Sequence, residues 1–283
     1  MSSALISPDA LSRELNDQKL HLLDASYYLP GQNRDPRQEH EVAHLPGAQF
    51  FDIDEASDAG SNLPHMLPSS EAFQTIARKL GIKADDKLII YDTNPMFGSC
   101  RAWWMFRAFG HEEVFVLDGG LPRWVREGYS TTNTVRTRAP SIFRAKIEPG
   151  LVATIEDVYE ILGGTGIIVD ARSPERFEGL APEPRPGLRK GHMPGAINIP
   201  YTSLIDDRSH CMRPHAFLEN VFHNAGVSLD RKIIASCGSG ITACVVALAM
   251  YELGRPHLAV YDGSWAEWGS KADTPITTSA HHR

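Results

Sequence analysis

At 283 residues, with 42% hydrophobic and 22% charged side chains, the chain has the length for two domains of ~100–150 residues and the balance of a soluble globular protein. A net charge of -7 argues against the basic stripe of a nucleic-acid binder. The opening residues lack the basic and apolar regions of a secretion signal, and the longest apolar-rich stretch, Ile241 to Leu253, falls short of the ~20 residues of a membrane span and contains Glu252, so a cytoplasmic protein without a membrane partner is expected.

In chain order, Leu20–Asp24 reads as a strand, Glu71–Leu80 as a helix, Leu88–Tyr91 as a strand, Cys100–Phe109 as a helix and Val114–Leu117 as a strand. Residues 131–150, rich in Thr, Arg and Pro and without periodicity, read as a linker. Beyond them, Gly166–Asp170, Ala196–Ile199, Lys232–Ser236 and His257–Tyr261 read as strands. Pro214–Ala225 and Gly240–Leu253 read as helices, the second closed by Gly254. Strands alternating with helices predict an α/β fold, a parallel sheet with helices on both faces.

The chain also repeats itself. Leu22-Leu23-Asp24-Ala25, His44-Leu45-Pro46-Gly47-Ala48, Leu88–Tyr91, Leu117-Asp118-Gly119-Gly120 and Trp124 recur in order as Ile168-Val169-Asp170-Ala171, His192-Met193-Pro194-Gly195-Ala196, Lys232–Ala235, Tyr261-Asp262-Gly263-Ser264 and Trp268, about 144 residues on. Five landmarks kept in order predict a duplicated domain: 1–130 and 151–283, joined by 131–150. Because both copies carry the His-x-Pro-Gly-Ala turn, His44 and His192 are expected to be structural, and the five tryptophans to be packing residues.

In an open parallel sheet, ligands sit beyond the carboxyl ends of the strands. There the second copy places Cys237, followed by Gly238, Ser239, Gly240, Ile241 and Thr242 at the start of a helix. Backbone amides of such a glycine loop, with the positive end of the helix, form an anion-binding nest, so Cys237 is expected to be held as a thiolate. A shift of about 144 residues sets Thr93 opposite Cys237 and Cys100 opposite Cys244, so the first copy has no nucleophile. Cys244, in an apolar run, is expected to pack, and Cys100 and Cys211 show no chemistry. No Cys-x-x-Cys pair or His/Cys ligand spacing occurs, so neither a disulfide framework nor a metal is expected. A cysteine phosphatase would need an arginine where this loop ends in Thr242-Ala243.

These motifs resemble the rhodanese superfamily, and the hexapeptide Cys237–Thr242 resembles its 3-mercaptopyruvate sulfurtransferase branch. The resemblance implies tandem rhodanese-like domains, an inactive copy at 1–130 and a catalytic copy at 151–283. It implies that sulfur passes from 3-mercaptopyruvate to a persulfide on Cys237, with release of pyruvate, and on to a thiol, cyanide or thioredoxin-type acceptor. No cofactor is implied. Thiosulfate-using relatives place Arg and Lys after the cysteine, where this chain has Gly238 and Ser239, so thiosulfate is the less favoured donor. The resemblance makes Arg176 and Arg185 the substrate-binding pair, with Arg172 and Arg189 weaker candidates. It assigns Ser239 to a proton-handling array with His65 and Asp54, the latter two from the first copy; Asp52 and Asp58 compete with Asp54. From the residues alone, Ser239 is equally a turn residue, and a non-catalytic binding module stays open.

Overall fold

The computed structural model describes residues 3–278 apart from Pro30, Pro95 and Thr165. Two compact units emerge. One takes the chain up to Ala59, Leu67–Glu148 and Ile205–Met212; the other takes Gly60–Met66, Pro149–Leu204 and the chain from Arg213 on. Each unit therefore includes a short piece of sequence from within the other copy.

The first unit runs β1 (Leu5–Ile6), α1 (Pro8–Glu14), β2 (Leu20–Asp24), α2 (Pro36–Val42), β3 (Ala48–Phe50), α3 (Ser70–Lys79), β4 (Lys87–Tyr91), α4 (Phe97–Ala108), β5 (Val114–Leu117) and α5 (Gly120–Arg126). Its five strands are all parallel, in the order β1-β5-β4-β2-β3. The second unit runs β6 (Val152–Ala153), α6 (Ile155–Leu162), β7 (Ile167–Asp170), α7 (Pro174–Phe177), β8 (Ile197–Asn198), α8 (His215–Asn224), β9 (Ile233–Ser236), α9 (Ala243–Glu252), β10 (Ala259–Tyr261) and α10 (Ser264–Trp268). Its sheet repeats the order as β6-β10-β9-β7-β8, again parallel. Strands β2, β7 and β9 are buried at every residue, as expected where helices cover both faces of a sheet.

The helix boundaries have identifiable chemical causes. Ser7, Asp35, Ser69 and Thr154 each accept a backbone N–H of the first helical turn, and at α1 and α2 a proline follows the cap. Helix α9 stops because Gly254 turns left-handed at φ +77°. Its N–H then reaches Tyr251 and the next N–H reaches Met250, the paired bonds of a Schellman ending. The same pair closes α4 at Gly110. Helix α9 starts at Ala243, three residues later than the sequence suggests. Gly240, at φ +76°, is not helical, and the next turn is closed by the shorter Cys244-to-Ile241 and Val245-to-Thr242 bonds.

Both His-x-Pro-Gly-Ala turns are held through their histidine rings. His44 Nδ1 lies 2.6 Å from the His40 carbonyl and Nε2 3.2 Å from that of Thr134. His192 Nδ1 lies 2.8 Å from the Phe177 carbonyl, its ring stacked on that phenyl. Trp103, Trp104, Trp124, Trp265 and Trp268 are all buried core residues. Residues up to Glu148 of the 131–150 stretch lie over the first unit, through His44–Thr132, Arg78–Ser141 and Ala108–Glu148 backbone bonds. Among the described residues, no helix is long and apolar enough to cross a membrane.

Candidate active site

Strand β9 is central in its sheet, and Cys237 is the first residue past its end. The loop that follows is anchored from α10. Trp265 N–H donates to the Cys237 carbonyl at 3.0 Å and Ala266 N–H to that of Gly238 at 2.9 Å. In a trans peptide the N–H opposes the C=O, so the amides of Gly238 and Ser239 point away from α10. Among the described residues, neither they nor those of Ile241 and Thr242 reach a backbone acceptor. The nest is smaller than the sequence suggests, because the amides of Cys237 and Gly240 both donate to Ser264 Oγ at 3.1 Å.

Ser264 was not anticipated from sequence. It is fully buried, sits at φ +48° where a side chain costs strain, and places its hydroxyl 4.0 Å from the Cys237 sulfur. The repeat carried the signal. The corresponding residue of the first copy is Gly120, at φ +56°, where an added Cβ would lie 2.3 Å from the Asp92 carbonyl. A serine placed where its counterpart needs glycine marks the cysteine-bearing copy.

Cys237 itself is 1% exposed, hardly more than Cys244 at 0%. Burial does not separate them; their surroundings do. Cys244 Sγ donates to the Gly240 carbonyl one turn back, an ordinary helix-start contact. Cys237 is followed by amides without backbone acceptors and faces a hydroxyl. Two residues on, buried Ser239 has its Oγ 2.9 Å from His65 Nδ1. His65 is buried at φ +60°, in the Gly60–Met66 segment that belongs to the second unit although it lies in the sequence of the first copy.

The arginines divide. Arg176, partly exposed, leans over the loop, where a Cβ on Gly238 would lie 2.9 Å from its Nη2. Its Nε–Nη2 edge is taken by Glu183, leaving the end-on edge. Arg172 is structural: it is bound to Asp170, Glu183 and the Gly191 carbonyl and stacked on Trp265. Arg189 is spent on carbonyls from Trp268 to Thr274. Arg185 is half-buried. Of the carboxylates, Asp52 caps its own turn through the Asp54 and Glu55 amides and pairs with Arg37, while Asp54 and Asp58 are exposed residues of the first unit.

The first copy corrects the repeat alignment. Ala25 N–H donates to the Tyr91 carbonyl as Ala171 N–H does to that of Ser236, and Leu121 N–H to that of Asp92 as Trp265 N–H does to that of Cys237. Asp92, not Thr93, therefore stands in the place of the cysteine; the first copy's loop is one residue longer, which a constant shift cannot accommodate. Asp92 is fully buried, with Oδ2 accepting the Ser99 amide at 2.8 Å and Oδ1 unpartnered among the described residues. Burial pushes its pKa up to about 7, with bonds from Ser99 opposing. A carboxyl raised this way is protonated in the fold where the unfolded chain has ionised, so stability is lost as pH rises from ~4 towards 7. Between about pH 5 and pH 8, Asp92→Asn should gain roughly 2–3 kcal/mol relative to the parent, read from urea unfolding at both pH values. A pH-independent difference would contradict this environment.

Comparison with known proteins follows this geometry. The family model described as rhodanese-like domain matches residues 7–127 and 154–271. The chain is 42% identical to the Escherichia coli K12 3-mercaptopyruvate sulfurtransferase, over 96% of each chain. It is also 42% identical to the Arabidopsis thaliana mitochondrial thiosulfate/3-mercaptopyruvate sulfurtransferase 1, over 97% of this chain and 78% of that one. The crystal structure of SseA from Escherichia coli, a 3-mercaptopyruvate sulfotransferase by its description, superposes with a TM-score of 0.86 at 40% identity, covering 93% of this chain and 99% of that one.

Proposed function

The chain belongs to the rhodanese family, and on that premise we propose that it moves sulfur from 3-mercaptopyruvate through a persulfide on Cys237. The observation that carries this reading is a cysteine at the end of the central strand, followed by amides without backbone acceptors, with a hydrogen-bonded Ser239–His65 pair two residues on.

The Cys237 thiolate attacks the donor sulfur and the carbon–sulfur bond breaks. Its electron pair stays on carbon as the enolate of pyruvate, which takes a proton, and Cys237 keeps the sulfur as a persulfide. A thiolate acceptor then attacks the outer sulfur and regenerates the Cys237 thiolate; cyanide or a thioredoxin-type protein serves the same role. The loop amides hold the anionic sulfur in both states. The Ser239–His65 pair hands the proton between donor thiol and enolate. Arg176, its end-on edge open, and Arg185 grip the donor carboxylate. Gly238 leaves room for Arg176, and neither it nor Ser239 brings the cationic side chain a thiosulfate dianion requires. These features support an enzyme acting on a small carboxylate donor, which we place in the cytoplasm as part of the same proposal.

Purified protein given 3-mercaptopyruvate without acceptor should release about one pyruvate per chain and gain the mass of one sulfur atom on the Cys237 peptide. With acceptor, kcat/KM should favour 3-mercaptopyruvate over thiosulfate. A preference for thiosulfate would overturn the donor; no adduct and no pyruvate would instead favour a non-catalytic module.

A further inference from the structure

The first unit contains a polar cavity away from Cys237, about 480 Å³ in volume, where the chain beyond α5 crosses the end of α3. Lys83, Arg136 and Arg138 line it, against a single acid, Asp86. That acid is already engaged: Asp86 Oδ2 accepts the Lys83 amide at 2.7 Å and lies 2.8 Å from His21 Nε2. Among the described residues, two nitrogens in the cluster have no partner: His21 Nδ1, in a residue 2% exposed, and Arg138 Nε. Arg138 uses its terminal nitrogens on the Gln18 and Leu20 carbonyls and on His21 Nε2. Arg136 is exposed on the cavity wall.

We infer that this cavity is a ligand site for a small oxyanion of the phosphate or sulfate type. Among the residues lining the cavity, three cations face one engaged carboxylate, and guanidinium forks match tetrahedral oxyanions. The titration of two groups bears this out. Burial, then Arg138 and Arg136, hold His21 down at about 4, against Asp86. Burial and Arg136 lower Arg138 as well. A bound anion relieves both, so binding and the ionisation of His21 are linked. The cavity's volume exceeds a bare tetrahedral ion and lies in the range of small-molecule sites, leaving space for a phosphoryl or sulfuryl group on a larger molecule.

The test titrates inorganic phosphate into the full-length protein at constant ionic strength, with chloride as the control. A saturable rise in Tm and an upward shift of the His21 imidazole titration by NMR are expected. Arg136→Gln, on the surface, should leave Tm without phosphate unchanged and weaken phosphate about tenfold, the loss of one charged hydrogen bond. Glycerol phosphate binding more tightly than inorganic phosphate would assign the site to a phosphorylated metabolite; the reverse would assign it to the free ion, and both sustain the proposal. Phosphate acting no differently from chloride, or equally on Arg136→Gln, would overturn it. None of these readouts depends on sulfur transfer.

Discussion

Cys237→Ser is expected to abolish pyruvate release from 3-mercaptopyruvate, by about four orders of magnitude or more, while the protein stays folded. The proposed mechanism needs an anionic nucleophile, and a serine hydroxyl at neutral pH supplies almost none, so the first bond to the donor sulfur does not form. Folding should survive, because serine is slightly smaller than cysteine and fits the same buried space. The substitution should cost no more than about 1–2 kcal/mol. Mass spectrometry of the donor-treated variant should find no sulfur adduct, and circular dichroism should find native secondary structure. Retained turnover would shift the chemistry to another thiol. Cys244 Sγ is bonded to the Gly240 carbonyl, Cys100 lies within α4, and burial raises the pKa of Cys211, so none of the three shares the surroundings of Cys237.

What the sequence conveyed followed from its repetition. The landmarks shared by the two copies define both sheets, and Leu20–Asp24 and Val114–Leu117 are strands over the residues expected. Helices α1, α2 and α6 are too short to show much periodicity and are announced instead by their caps at Ser7-Pro8, Asp35-Pro36 and Thr154. Within the loop, the residue types pointed to an anion site, but which amides remain open depends on Ser264, at the far side of the sheet's next crossover. The Ser239–His65 bond spans 174 residues of sequence and rested on family resemblance alone. Arg176 could be singled out, but not that Glu183 holds it by one edge. Contacts between distant side chains are set by packing, which local pattern does not encode.

Arg172 shows the consequence for stability. Replacing it by methionine should destabilise the second unit by about 3–5 kcal/mol, the cost of leaving buried charges unpaired. Its guanidinium donates to Asp170 through Nε and Nη2, to Glu183 through Nη1 at 2.8 Å and to the Gly191 carbonyl at 2.8 Å, with no exposed side-chain surface. Asp170 and Glu183 are themselves 2% exposed in their side chains, so neither can recover its hydration when the cation goes. Urea unfolding should show a lower midpoint at constant slope; a loss below about 1 kcal/mol would mean that the carboxylates find other partners. Arg172→Lys separates structure from function, since it keeps the charge as a single point but loses the fork. Glu183, released from Arg172, would grip Arg176 alone, and the donor carboxylate would then compete with a freer internal one. The lysine variant should therefore fold, keep kcat within a few-fold and show a raised KM for 3-mercaptopyruvate. One buried carboxylate, Glu183, is shared by the two arginines, so on the proposed reading the same group ties the fold to donor recognition.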